Sequence, residues 1–121
     1  MESSLIDLAK YRLDRANEDL DSAKREFKAE SYRLTLNRSY YAIFHGLRAV
    51  NALDEFDSSK HAGVIAHFNQ YHVKTGEFPK EISRMISSAM LIRQKSDYDD
   101  FYIASKDEAE KQQCKICARV D

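Results

Sequence analysis

The chain has 121 residues, 43% of them hydrophobic and 32% charged, enough for one core and too few for a second. Its 19 basic and 20 acidic side chains leave a net charge of −1, which argues against a strongly basic nucleic-acid module and leaves room for a local basic patch. One proline and three glycines argue against sandwiches and barrels, which need frequent turns, and no apolar run is long enough to cross a membrane.

The amino-terminal stretch is charged and periodic rather than signal-like, so a cytoplasmic protein with two reduced cysteines is expected. Ile6, Ala9, Leu13, Ala16, Leu20, Ala23 and Phe27 recur at steps of 3 and 4 and predict a helix over 4–28, with Ser4 and Asp7 in the form of a capping box. Residues 28–32 hold neither Gly nor Pro, and Ser31 is the cap candidate for a second helix running to about residue 53. On that helix Leu36, Tyr40, Phe44 and Leu47 form one line, and Arg38, Tyr41, His45 and Arg48 another. Ala42, Ala49 and Ala52 would let a neighbouring helix come close. Residues 54–59 read as a loop, with Ser58 or Ser59 capping a third helix over 60–74 whose apolar side is Val64, Ile65 and Phe68. Gly76 suits the left-handed position that closes it, and Pro79 the first turn of a fourth helix that buries Ile82, Met85, Ile86, Ala89 and Ile92. Residues 97–102 read as a loop. Ser105 and Glu108 form a capping box for a fifth helix with sparse apolar positions at Ala109, Ile116 and Val120.

The fold class is therefore all-α. The expected architecture is an antiparallel up-and-down four-helix bundle with an additional C-terminal helix, one domain over 1–121; a three-helix or irregular all-α packing is the alternative. A bundle this small and polar gains buried area by dimerising, so a homodimer is expected.

The candidate chemistry lies on the second helix. Arg38 and His45 are seven residues apart, two helical turns, with Tyr41 between them on the same side. A guanidinium can neutralise a phosphate and an imidazole can move a proton at a ribose hydroxyl or a leaving oxygen, without a metal. The same pair could instead satisfy buried carboxylates or carbonyls across the bundle. Lys60 and His61 open the third helix, where unpaired N–H groups favour an anion; His61 could equally bond a neighbouring helix. Arg93 and Asp97 form an i,i+4 pair, worth about a few tenths of a kcal/mol on a surface. His61, His67 and His72 would need carboxylates from elsewhere to hold a metal, so no metal site is expected. Cys114 and Cys117 lack the second ligand pair of a zinc knuckle and read as ordinary thiols. No phosphate-loop or dinucleotide motif is present, and no cofactor is expected.

Three blocks in fixed order, NRSYYAIFHGLRAV, then KHAGVIAHFNQYHVKTGEFP, then RQKSDYDDFYIASKDEAEK, resemble the small stand-alone HEPN proteins over about residues 5–111. The resemblance implies a helical bundle that pairs as a two-fold dimer. It implies, for nuclease members, an Arg and a His that meet a second copy to form a metal-independent RNA-cleaving site. That assigns catalysis to Arg38 and His45, with six residues between them, and has Arg93 and Asp97 either fix the helix end as a buried pair or wall the site beside Arg38; Tyr41, Lys60, His61 and Arg93 are the candidate RNA or nucleotide contacts. It also implies a toxin–antitoxin setting, with a minimal nucleotidyltransferase as partner. A non-catalytic nucleotide-binding or partner module is the alternative. Ser39 stands where the nucleases usually carry Asn, Asp or His.

Overall fold

The structure is a computed structural model and describes residues 2–58, 60–98, 106, 107, 109 and 110. It is all-helical: α1 (Glu2–Lys28), α2 (Tyr32–Ala52), α3 (His61–Phe68), which continues as a π-helical segment (Asn69–Val73), and α4 (Lys80–Tyr98). No strand occurs among the described residues, and no helix among them is long and apolar enough to cross a membrane. Lys106, Asp107, Ala109 and Glu110 are helical and Ala109 is fully buried; Ser105, Glu108, Ile116, Val120 and both cysteines lie outside the described residues.

α2 packs against α1, α3 and α4, and its predicted apolar line is the centre of the core. Leu36, Tyr40, Phe44 and Leu47 are all buried, with Val64, Phe68, Ile82, Ile86 and Ala89 from the later helices. Small residues on both partners (Ala16, Ala23, Ala42 and Ala49) are buried as well, which suits the close approach of α1 and α2.

The α1–α2 turn needs no glycine because Glu30 itself takes the left-handed conformation, with φ 63°. Ser31 N–H donates to the Glu26 carbonyl at 2.9 Å and Glu30 N–H to that of Phe27 at 3.0 Å, the paired bonds of a Schellman ending. α2 ends the same way: Glu55 has φ 59°, and Phe56 N–H reaches the Asn51 carbonyl. Gly76, φ 86°, holds the left-handed position expected of it. Pro79 stands immediately before α4, its carbonyl accepting the Ile82 N–H at 3.1 Å.

Several expectations need correction. α1 begins at Glu2, so Ser4 lies in its first turn rather than capping it. Lys60, not a serine, occupies the cap position of α3, and the Ser58 hydroxyl accepts the Lys60 N–H at 3.2 Å. Asp97 and Tyr98 belong to α4 rather than to a loop. The α1 stripe is also rotated: Ala16, Leu20 and Ala23 are buried, but Ile6 and Leu13 are half-exposed and Arg12 is buried in their stead. A heptad spacing drifts by about 20° per seven residues on a straight helix, so Ile6 and Leu13 cannot stay in line with Leu20. Leu13 opens instead onto an apolar cleft of about 280 Å³ beside Gly46, Val50 and Met85.

Candidate functional site

The two-turn spacing of Arg38 and His45 does put them together, and a residue from α1 joins them. Asp19 sits between the two, Oδ1 3.9 Å from Arg38 Nη1 and Oδ2 3.5 Å from His45 Nε2. Both distances are longer than a direct hydrogen bond, so the carboxylate holds the pair by charge rather than by fixed bonds. The Arg38 side chain is 45% exposed and that of His45 13%, so the cation meets water while the imidazole sits behind it. Burial lowers the His45 pKa from its ordinary 6.5; Asp19 opposes this, and Arg15, Arg48 and Arg12 add to the lowering. At neutral pH His45 is therefore uncharged and carries a lone pair. Ser39, the next residue along from Arg38, is fully buried, and its hydroxyl meets no partner among the described residues.

Tyr41 lies beside His45, ring centroids 6.1 Å apart, but its hydroxyl turns to α4 and accepts from Arg93 Nη2 at 3.0 Å. The Arg93 guanidinium lies over the Tyr40 and Tyr41 rings, 5.1 and 5.2 Å from their centroids. Arg93 thus stands against Tyr40 and Tyr41 of α2; the Asp97 side chain lies outside the described residues. Tyr40 and His61 complete the group, with the phenol oxygen 2.8 Å from His61 Nδ1. Burial pushes the Tyr40 hydroxyl up to about 12, with Arg93 opposing. Burial also lowers the His61 pKa, with help from Arg93 and Arg48. A protonated phenol facing a neutral imidazole donates to Nδ1, which leaves the His61 proton on Nε2. The His61 ring rests on Phe44 at 4.2 Å.

Arg38, His45, Tyr41, Arg93 and His61 thus form one connected set. Lys60 is exposed, and the contacts described among the other five do not include it. Sequence reasoning missed Asp19 and the ion knot behind His45. In that knot Asp57 takes Arg48 through both oxygens and Arg12 at 3.1 Å, while Arg12 also donates to the Arg48 carbonyl at 3.2 Å. The signal was present, since at 100° per residue Arg12, Ala16, Asp19 and Ala23 fall within an arc of about 60°. Two charged residues in phase with buried alanines mark a helix face that carries ion pairs inward.

Fold and site together define a small helical bundle whose central helix presents a cation and a neutral imidazole beside an Arg–Tyr–His cluster. The chain belongs to the HEPN family: the HEPN domain model matches residues 9–115. It is 31% identical over 98 residues to "Putative toxin MJ0142" of Methanocaldococcus jannaschii, covering 81% of this chain and 67% of that one. It is 37% identical over 93 residues to a "UPF0332 protein" of Thermotoga maritima, covering 77% and 70%. A second Methanocaldococcus jannaschii protein, "Putative toxin MJ0605", is 39% identical over 83 residues, covering 69% and 62%.

Proposed function

We propose that the chain is a toxin-like HEPN protein that cleaves RNA without a metal, using Arg38 to hold the phosphate and His45 to move the proton. The observation that carries this reading is the shared position of an exposed guanidinium and a partly buried, neutral imidazole on one face of α2. Arg38 pairs with a phosphate oxygen and offsets the charge that grows on it. With Nε2 turned to Asp19 and carrying the ring proton, His45 takes the proton from the ribose 2′ oxygen at Nδ1; that oxygen attacks phosphorus while the 5′ oxygen leaves with a proton from water, and the products are a 2′,3′-cyclic phosphate and a 5′ hydroxyl. Asp19 orients the imidazole and, by its charge, competes with the phosphate for Arg38. A second copy in a two-fold dimer brings a second Arg38 and His45 to the same RNA. Names given to two relatives support the toxin setting, and a minimal nucleotidyltransferase is the partner this reading implies.

The test is RNA cleavage by purified protein with no added divalent metal. Wild type is expected to yield cyclic-phosphate ends, and Arg38→Ala and His45→Ala to lose cleavage by a hundredfold or more while melting like wild type. Unchanged cleavage in either variant refutes the assignment. The burial of His45 favours a second reading, a non-catalytic nucleotide-binding or partner module. A nucleotide that raises the melting temperature of a protein inert toward RNA would select it.

A further inference from the structure

At the far end of α2, four side chains that the cleavage reading does not use converge. Asp54 stands in the turn after α2, His67 in the last turn of α3, His72 in the π segment and Glu77 just beyond it. Asp54 Oδ2 is 3.0 Å from His67 Nε2 and 2.6 Å from His72 Nε2, and His72 Nδ1 is 2.6 Å from Glu77 Oε2. One donor atom from each of Asp54, His67 and His72 lies within 4.8 Å of the others.

The backbone is shaped for this. His67 and His72 are five residues apart and would point about 140° away from each other on an α-helix. The π segment bonds residue i to i+5, as in Lys74 N–H to the Asn69 carbonyl at 2.9 Å, and so brings both rings to the Asp54 side. Phe56 stacks on His67 at 3.9 Å, only 8° from parallel, and holds that ring in place.

Two imidazole nitrogens from different turns face one carboxylate oxygen, and a second carboxylate holds the far nitrogen of His72. Without a metal, a doubly protonated His72 donates to both carboxylates; a cation that replaces its Nε2 proton meets the same three atoms. Two imidazole nitrogens and a carboxylate oxygen are the donor set of a borderline divalent cation such as zinc, and a carboxylate on the remote nitrogen is the usual way a metal-binding histidine is oriented. Donors around tetrahedral zinc stand about 3.3 Å apart, so binding moves the Asp54 oxygen, on a side chain 34% exposed, about 0.7 Å outward from His72 and draws the three donors, now within 4.8 Å of one another, around the ion.

We propose that Asp54, His67 and His72 bind one zinc-class divalent cation, with Glu77 orienting His72, and that the ion clamps the turn after α2 to the end of the third helix. The site does not depend on Arg38 or His45, and its failure would leave the cleavage reading untouched. The test uses the full chain without a histidine tag, stripped with chelator, desalted, and titrated with Co²⁺ and then Zn²⁺. One equivalent of Co²⁺ is expected to give the visible absorption of a four- or five-coordinate site, displaced by one equivalent of Zn²⁺. Zinc at a hundredfold excess over its Kd should raise the melting temperature by about 10 °C. Asp54→Asn and His67→Ala should abolish both signals, and Glu77→Gln should weaken affinity about 10–100-fold. The Cys114→Ser/Cys117→Ser double variant should bind as wild type does. Absence of a cobalt spectrum in the wild type, persistence of binding in both Asp54→Asn and His67→Ala, or its loss in the cysteine variant would each overturn the proposal.

Discussion

Replacing Asp57 with Asn tests the ion knot behind His45 by removing one charge while keeping the side chain's shape. Asp57 bonds Arg48 through both oxygens and Arg12 through one, and its Oδ1 accepts the Ser58 N–H at 2.9 Å. Arg12 is at the dry end of the knot, with a side chain only 10% exposed, and Asp57 at the wet end, 52% exposed. A buried charge stripped of its partner costs about 3–5 kcal/mol, whereas an exposed pair contributes about 0.2–1 kcal/mol. Water can follow where the carboxylate was, and Arg12 keeps the Arg48 carbonyl, so the expected loss is about 1–2 kcal/mol. For a chain of this size that is a melting temperature lower by about 4–8 °C, read by circular dichroism at low salt. The pH dependence has a definite sign. Burial pushes the Asp57 carboxyl up, but the Ser58 N–H and the Arg48 and Arg12 guanidiniums outweigh it and hold its pKa below the ordinary 3.8. Its stabilisation is thus complete above that value and lost as the pH falls through the folded one, so the gap between wild type and Asp57→Asn should close in acid. A variant melting within 1 °C of wild type at neutral pH would refute the reasoning.

Tyr40→Phe should cost about 0.5–1.5 kcal/mol, because water can replace the phenol at the half-buried His61. In the wild type, nitrogen chemical shifts should show the His61 proton on Nε2, and a proton on Nδ1 would contradict the donor assignment. His45 has a lowered folded pKa, so between neutral pH and that value the unfolded chain takes up its proton first. Wild type should therefore lose stability as the pH falls below 6.5, and His45→Gln should flatten that part of the urea-midpoint profile; an unchanged slope counts against a buried neutral His45. Gly63→Ala should push a methyl to within 2.6 Å of Ser58 Oγ and displace the hydroxyl from the Lys60 N–H. The lost bond costs about 1 kcal/mol and replacing a helical glycine returns about 0.5–1, so the urea midpoint should barely move, and a loss of about 2 kcal/mol or more would mean that Ser58 cannot give way.

The helices were legible wherever apolar residues kept the α-helical period. Leu36, Tyr40, Phe44 and Leu47 repeat at steps of 4, 4 and 3 and form the core as read. The turns were less legible because two of them use glutamate in a left-handed conformation, where sequence points only to glycine or asparagine. The π segment was invisible for a related reason: the third helix was read at the α period, and its extra residue per turn has no compositional mark. At the site, the alignment of Arg38 with His45 followed from spacing alone. Asp19 and Arg12 did not, since on a charged helix nothing but phase separates an inward charge from a solvated one. The contact of Arg93 with Tyr41 was not legible, because the two lie 52 residues apart.

The widened turn between α3 and α4 behaves as an insertion that the fold has absorbed. Deleting one of residues 69–71 would restore ordinary winding without breaking the helix and would leave His67 and His72 four residues, about 40°, apart on one face. Rewinding the segment as an α-helix with every residue kept would instead turn His72 about 140° from His67 and take Val73 out of its place in the core. The length of this segment, more than its chemistry, determines which side chains meet across the end of the bundle.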